Sequence, residues 1–268
     1  MTLQEVQTVL LDILKDVCVF CESHNIRYSL AYGTLIGAIR HKGFVPWDDD
    51  ADIVIPRPDF ERFCKEYTSL KGYKLYKPGN PNNFLLYAHV CDNSNTIAKC
   101  RYPWSNEETG IWVDILPIDG LPSDKKDFLK LVKSIRNVQK KVYRLRTGRY
   151  LRLSDTHNIK DFCYAIIKRI LYFRCNIEEL LLQHDQLLRS NDYENSDYCG
   201  QLCVMDYPEK EHNPKIDFES LVKKRFCDTD FFVFNGFDNI LSRYYGNYME
   251  LPPINKRVAQ YDQKYYWK

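Results

Sequence analysis

The sequence has no long hydrophobic run and no excess of charge of either sign. Lys and Arg total 38 against 36 Asp and Glu, a formal net charge of +2. This balance gives no reason to expect a nucleic acid as partner. No stretch is apolar enough to span a bilayer, and Met1–Gln7 lacks the basic segment and following apolar run of a signal peptide. We therefore expect a cytoplasmic protein that binds no nucleic acid.

The chain also lacks a second cysteine pair at zinc-binding spacing, although it holds ten cysteines. Cys18 and Cys21 form a CxxC, but they fall on a helical pattern, and Cys199 and Cys203 are equally isolated. We expect reduced, buried thiols and no structural zinc. Repeats and low-complexity segments are absent too, and 268 residues suffice for one large domain or two interlocked lobes.

The periodicity of the apolar residues predicts an α/β (α+β) protein. Leu3 to Cys21 recur at helical spacing, and Asn25 is expected to end this first helix. We expect a mixed-sheet core over residues 1–122 and a mainly helical portion over residues 123–268, packed on the core and completing the active-site cleft. Strands are predicted at Ile26–Tyr32, Asp52–Ile55, Phe84–Cys91, Thr96–Lys99 and Ile111–Leu116, and helices at Leu35–Arg40, from Pro58 onward, over Phe128–Leu145, Asp161–Phe173, Ile177–Ser190 and Asp238–Tyr245.

The most informative feature present is a cluster of four aspartates within five positions, Asp48, Asp49, Asp50 and Asp52. Carboxylates at this density repel one another, and a divalent cation relieves that repulsion. Alternate residues at the start of a strand point the same way, so Asp50 and Asp52 can share one metal ion. We expect Asp48 to flank them and Asp49 to face away.

The residues before this cluster suggest a phosphate site. Gly33 and Thr34 predict a turn that lets the backbone approach a phosphate, and Arg40, His41 and Lys42 could offset its charge. This order of strand, small turn, helix, Asp-x-Asp and strand is typical of nucleotidyltransferase-like folds. A solvated loop is the alternative for the aspartates, and a simple surface role is the alternative for His41.

A further carboxylate is expected from a neighbouring strand. Asp114 ends an apolar run that predicts a buried strand, and Asp119 is a weaker candidate behind it. With Asp50 and Asp52, Asp114 would complete the ligands of Mg²⁺ or Mn²⁺. One of the aspartates would take the proton of an acceptor hydroxyl that attacks a phosphoryl group in line.

Three segments together resemble the LicD family, phosphotransferases related to fukutin and fukutin-related protein. They are Tyr32–Arg57, Gly110–Asp119 and Tyr244–Arg257. The resemblance implies a nucleotidyltransferase-like fold that moves a phosphodiester-linked group, typically phosphocholine, from a CDP-activated donor to a glycan. It also implies that Asp48, Asp50 and Asp52 form the acidic metal motif and that Asp114 is the further carboxylate.

The chain departs from the family at several points. Ala51 stands where members usually have a larger aliphatic residue, which is harmless. His89 occupies a position where members often carry a lysine, so it is only a weak candidate for a substrate contact. The cysteine-ligated zinc of the eukaryotic relatives has no evident counterpart.

Aromatic faces are the natural receptor for the trimethylammonium group of choline. The candidates in or near the motifs are Trp47, Tyr32, Tyr102, Trp104 and Trp112. A scaffold role for Trp47 and Trp112 is the alternative.

Residues 125–152 hold eleven basic residues and a single acid, Asp127. Such a run is a solvated helix face or a surface that meets anionic lipid. Phe162–Phe173 adds an apolar stretch that is too short to span a bilayer and suits either a membrane interface or a buried helix. The lipid alternative predicts peripheral contact with the inner membrane face.

These observations predict a metal-dependent transferase that moves phosphocholine, or a similar phospho-alcohol, from a CDP-activated donor to a hydroxyl of a cell-surface glycan precursor. Two alternatives stay open. The first is a true nucleotidyltransferase that makes an activated small molecule, and the second is a catalytically inactive glycan- or nucleotide-binding module.

Overall fold

The computed structural model describes residues 1–80, 83, 85–99, 109–150, 159–171, 175–204, 206–259 and 264–268, without the side chains of residues 147–150, 161, 165, 168 and 169. Tyr102 and Trp104, both candidate choline contacts, lie outside these ranges, as does Arg152 at the end of the basic segment. Over the ranges that are described, no helix combines the length and the hydropathy needed to cross a membrane.

The fold is a mixed sheet covered by helices, which confirms the predicted α/β (α+β) class. The helices are α1 (Leu3–Ser23), α2 (Tyr32–Ile36), α3 (Arg57–Glu66), α4 (Lys125–Tyr150), α5 (Ile159–Leu171), α6 (Ile177–Leu188) and α7 (Phe237–Tyr245). The strands are β1 (Ser29–Leu30), β2 (Asp52–Pro56), β3 (Lys74–Tyr76), β4 (Ala88–Asp92), β5 (Thr96–Lys99), β6 (Ile111–Leu121), β7 (Tyr198–Gly200), β8 (Asn213–Pro214), β9 (Leu221–Phe226), β10 (Thr229–Phe234) and β11 (Lys264–Trp267).

Strand β6 organises the main sheet, whose order is β1-β2-β6-β4-β3. It runs parallel to β2 and antiparallel to β4, and its far end pairs with β7, which in turn pairs with β8. Nearly every β6 side chain is buried because helices cover both faces of the strand. This continuous apolar run is the reason that the strand could be predicted from the sequence.

Helix α1 supplies most of the packing on one face of the sheet. Thr2 and Glu5 form a capping box that fixes its start, and its apolar residues lie in one core with those of β1, β2 and β6. Phe226, Phe231 and Val233, from the separate β9–β10 hairpin, fill the same core. Residues from both ends of the chain therefore share one core.

Helix α4 covers the other face together with α6. Phe128, Val132 and Ile135 pack with residues of β6, and farther along α4 Val142 and Leu145 pack with residues of α6. Strands β7 and β8 join the main sheet and β11 pairs with β5, so strands pair across the proposed division at 122/123. That division of the chain into two portions stays a prediction.

The segment before the aspartate cluster differs from its prediction. Only Ser29 and Leu30 form a strand, and Gly33 and Thr34 lie inside helix α2 instead of in a turn. The chain changes direction at Tyr32, whose φ of 47° is in the left-handed region. Helix α2 then continues as a π-helical turn over Gly37–His41. Pro58 is the second residue of α3, not the first.

Candidate active site

The register of the sheet brings Asp52 and Asp114 side by side. They are direct partners on the parallel strands β2 and β6, and the N–H of Asp114 donates to the carbonyl of Ala51 at 2.9 Å. The Thr34 hydroxyl accepts from the N–H of Asp52 at 2.9 Å. Thr34 is buried, and this hydrogen bond fixes the start of β2. The sequence had predicted that Thr34 would contact a phosphate group instead. The two strands that carry Asp52 and Asp114 and helix α2 are thus joined at one point.

A cleft with a volume of about 1140 Å³ opens above this point. Asp48, Asp50, Asp52 and Asp114 all line it, as the sequence predicted they would if they formed one site. The opposite wall comes from residues 201–210 and 242–259, far away in the chain. Its side chains include Asp206, Tyr207, Lys210, Arg243, Tyr244, Tyr245, Tyr248 and Lys256.

The four carboxylates destabilise one another's charged forms. Burial and the charge of Asp50 raise the pKa of Asp48 to about 9 and that of Asp114 to about 8. Burial also raises the pKa of Asp50 and, with Asp50 and Asp114 beside it, lifts the pKa of Asp52 well above its usual value. Asp48 and Asp50 hydrogen-bond to each other, which requires a proton on one of them. Without a cation, this site binds protons instead.

The donor set suits a hard divalent cation. Carboxylate oxygens are the ligands that Mg²⁺ and Mn²⁺ prefer, and a cation would remove the repulsion that raises these pKa values. Asp114 accepts a hydrogen bond from the Tyr87 hydroxyl at 3.1 Å through Oδ2, while its buried Oδ1 has no hydrogen-bond partner within the described structure. As placed in this structure, no group of three or more His, Cys, Asp or Glu side chains among the described residues could hold a metal ion. The chemistry of the donors fits such an ion, and the carboxylates would have to move closer together to hold it.

Gly33 leaves the space that Asp48 occupies. A Cβ atom at this position would lie 2.6 Å from Oδ2 of Asp48. The carbonyl of Asp48 accepts from the Gln7 amide at 2.8 Å, which anchors the loop to α1. The role of Gly33 in this structure is to admit a carboxylate next to the α2 backbone.

The three predicted basic residues have separate positions. Arg40 lines the cleft, but its Nη1 donates to the carbonyls of Tyr248 and Glu250 at 2.6 and 3.0 Å. His41 and Lys42 are not among the described residues that line the cleft. The Lys42 ammonium donates to the Ile39 carbonyl at 3.1 Å, at the end of the π-helical turn. Arg40 therefore holds the wall of the cleft in place.

Of the other predicted residues, some line the cleft and some do not. Trp47 lines it, with the Arg257 guanidinium 5.6 Å from its ring centroid. Asp49 and Trp112 are not among its described lining residues. His89 is buried opposite Asp114 in the sheet, with its ring stacked on Tyr76 at 4.7 Å. Burial lowers the pKa of His89 to about 3, so the ring is neutral.

The weaker candidate Asp119 has a structural partner. Its carboxylate accepts from Nε and Nη2 of Arg57 at 2.5 and 2.7 Å, in a buried bidentate pair. A carboxylate that is fully used by a guanidinium is not available to a metal ion. Asp114, and not Asp119, is the carboxylate that β6 contributes to the cleft.

Sequence reasoning missed the residues of the opposite wall. The Lys210 ammonium donates to the Tyr244 carbonyl at 2.5 Å and lies 4.7 Å from the centroid of the Tyr207 ring. Buried Glu211 accepts hydrogen bonds from the hydroxyls of Tyr32 and Tyr244. The Tyr244–Arg257 segment had been singled out as a motif, but nothing in the sequence linked it to Lys210 or Glu211.

Comparison with known proteins shows which family the chain belongs to. The family model described as "LicD/FKTN/FKRP, nucleotidyltransferase domain" matches residues 25–155. The lipopolysaccharide cholinephosphotransferase LicD of Haemophilus influenzae is 32% identical over 271 residues, which cover 99% of this chain and 98% of that protein. An uncharacterised protein of Rickettsia prowazekii is 44% identical over 106 residues, 35% of this chain and 40% of that protein. The chain belongs to the LicD family.

Proposed function

We propose that this chain transfers phosphocholine, or a similar phospho-alcohol, from a CDP-activated donor to a hydroxyl group of a cell-surface glycan precursor. The observation that carries the proposal is its similarity, over almost its whole length, to a relative named as a lipopolysaccharide cholinephosphotransferase. The four carboxylates in one large cleft support a phosphotransfer site, since a binding module gains nothing from such repulsion.

Asp50, Asp52 and Asp114 are the proposed ligands of Mg²⁺ or Mn²⁺. When bound, the ion would supply positive charge to the phosphate oxygens of the donor. Asp48 is then the carboxylate left to accept the proton of the attacking hydroxyl. Its place in the lining of the cleft, beside Gly33, supports this role.

Lys210 is the proposed cationic contact for the donor phosphates. Its ammonium is held in the cleft by a carbonyl and by a tyrosine ring, so it is oriented before the substrate binds. The Lys210 ammonium has three N–H donors, and one of them serves the Tyr244 carbonyl. Arg40, by comparison, uses its guanidinium on two backbone carbonyls and on the His41 ring. We therefore give Lys210 the role that the sequence had suggested for Arg40, His41 and Lys42.

The aromatic residues of the cleft are the proposed receptor for a quaternary ammonium group. Tyr32 and Tyr244 meet edge to face at 5.2 Å, and Tyr245 lies beside them. Burial and the charges of Asp52 and Asp48 raise the pKa of Tyr245, so its ring stays neutral near the carboxylates. Neutral tyrosine faces next to negative charge suit a cation that cannot donate hydrogen bonds.

A transfer assay tests the proposal directly. CDP-choline labelled in the choline and, separately, in the cytidine is incubated with Mg²⁺ and a lipopolysaccharide acceptor. We expect choline label alone on the glycan, CMP as the released product, and no transfer after chelation of the metal. Cytidine label on the product would instead identify a true nucleotidyltransferase, and no reaction with any CDP-alcohol would support a binding module.

Asp52→Asn removes a proposed ligand with almost no change of shape. We expect transfer to fall by at least about 10²-fold, as for other removed electrostatic groups in active sites, while thermal unfolding shows an intact fold. Asp230→Asn is the matched control, because the Asp230 side chain of β10 is 55% exposed, and this variant is expected to keep full activity. Equal activity in both variants would refute the metal assignment.

A further inference from the structure

Helix α5 presents its apolar side to solvent. Ile159, Cys163, Ile166, Ile167 and Ile170, here called the apolar ridge, follow one another at helical spacing and are all exposed. Ile159 is 78% exposed, Ile170 71% and Ile167 52%. For the side chains that the structure describes, the prediction that Phe162–Phe173 forms a buried helix is therefore wrong.

The neighbouring helices leave this ridge uncovered. Helix α5 packs on α4, but most apolar residues of α4 lie in the cores that it shares with β6 and α6. Leu129 and Tyr143 of α4 are themselves exposed. A contiguous row of exposed isoleucines on a water-facing helix is uncommon in a monomeric protein and marks an interaction surface.

The exposed side of α4, the helix on which α5 packs, is basic. Lys126, Lys130, Lys133, Lys140 and Arg144, here called the basic stripe, recur at intervals of three, four or seven residues and are exposed. Asp127, which pairs with Lys130 at 2.7 Å, is the acid among the described residues of α4. An exposed apolar helix face together with exposed lysines on the helix it packs against has the composition of surfaces that lie in a membrane interface.

We propose that the apolar ridge and the basic stripe form a docking surface for an anionic lipid bilayer. The isoleucines would enter the boundary between headgroups and acyl chains, and the lysines would meet the anionic headgroups. A second copy of the chain fits less well, because a two-fold contact over the ridge would bring two basic stripes close together.

The buried side of α4 is connected to the candidate active site. Arg146, near the end of α4, donates to the Asn83 carbonyl at 2.6 Å, and the Asn83 amide donates to the Tyr87 carbonyl at 2.8 Å. The Tyr87 hydroxyl then donates to Asp114. These hydrogen bonds join α4, the helix that carries the basic stripe, to a carboxylate of the cleft.

Flotation of the full chain with vesicles tests the proposal. We expect binding to phosphatidylcholine vesicles that contain about 30% phosphatidylglycerol, weaker binding at high salt, and little binding to neutral vesicles. The absence of binding to anionic vesicles at low salt would overturn the proposal.

Two variants assign the binding to this surface. Ile167→Gln with Ile170→Gln is expected to weaken binding about tenfold or more, since both side chains lose their burial in lipid. The matched control is Leu70→Gln, because Leu70 is 92% exposed and lies in another part of the surface. Equal loss in the control and the ridge variant would contradict the assignment.

Lys133→Gln with Lys140→Gln is expected to weaken binding about fivefold per lysine. Lys65→Gln with Lys71→Gln changes the net charge equally and should keep most of the binding. All of these positions are exposed, so the variants should fold. Light scattering of the free protein provides the remaining check. If the wild type is a dimer and the Ile167/Ile170 variant is a monomer, the partner of this surface is a second copy of the chain and the proposal is overturned.

Discussion

At the scale of single residues, the candidate site depends on how closely carboxylates can be placed. Asp48 and Asp50 come from a loop, Asp52 from the start of β2 and Asp114 from β6. Across the same cleft Asp50 raises the pKa of the other three, and Asp48 and Asp114 also raise that of Asp52. The density of aspartates in the sequence was enough to predict this set. It was not enough to predict the surroundings of Asp119, because its pairing with Arg57 depends on the contact between β6 and α3.

Gly33→Ala should damage the site without damaging the fold. The added Cβ would meet the end of the Asp48 side chain, which can move, so the carboxylate would be displaced while the helix stays intact. A displacement of about 1 Å in an active site can cost about 10²-fold in rate, and we expect a loss of transfer of that order. The checks are steady-state transfer kinetics and the melting temperature with and without Mg²⁺.

Gly110→Ala is the contrasting variant. There the added Cβ would lie 1.9 Å from the Asp92 carbonyl oxygen, which belongs to the backbone and cannot give way. We expect a strong loss of stability in thermal unfolding. Loss of folding in Gly33→Ala as well would show that its effect is not confined to Asp48.

At the scale of elements, the segment from Tyr32 to His41 shows what the sequence could and could not predict. The short helix was predicted, but its start three residues earlier was not. Tyr32 adopts a positive φ while its hydroxyl donates to Glu211, 179 positions along the chain. A local pattern contains no information about a partner at that distance.

Arg40 links this element to the far wall of the cleft, so Arg40→Ala should loosen that wall. We expect kcat/KM for the CDP-activated donor to fall about tenfold, or 1.4 kcal/mol, mainly through KM. Lys42→Gly is the control because it removes a neighbouring charge at a φ of 59°, a conformation that glycine adopts readily. An equal loss in both variants would mean that positive charge, and not the tie to Tyr248 and Glu250, is what matters.

At the scale of the whole molecule, the cleft is assembled from distant parts of the chain. The aspartates come before residue 115, whereas Lys210 and Tyr244 come from segments after residue 200. Strands β7 and β8, of three and two residues, connect these segments to β6. Such short strands have no detectable periodicity. The sequence therefore predicted the wall with the aspartates but missed the opposite wall, to which Lys210 and Tyr244 belong.

Helices α4 and α6 contact the segment that leads into the opposite wall of the cleft at a buried histidine. His184 of α6 lies 3.1 Å from the Gln139 amide of α4, and the same amide donates to the carbonyls of Leu202 and Cys203 at 3.2 and 3.0 Å. Burial lowers the pKa of His184 to about 4. The contact therefore requires the neutral imidazole, which accepts a hydrogen bond from Gln139.

This contact should make the protein sensitive to mild acid. The folded pKa of His184 lies below its unfolded value, so the unfolded chain binds the proton first and stability is lost as the pH falls from about 6.5 towards 4. Because the raised carboxylates have the opposite trend, the effect is measured as the difference between the wild type and His184→Phe. We expect the stability advantage of the wild type, from denaturant unfolding, to shrink by about 2 kcal/mol between about pH 7.5 and pH 5. A difference that does not change with pH would show that His184 is not held neutral between α4 and α6.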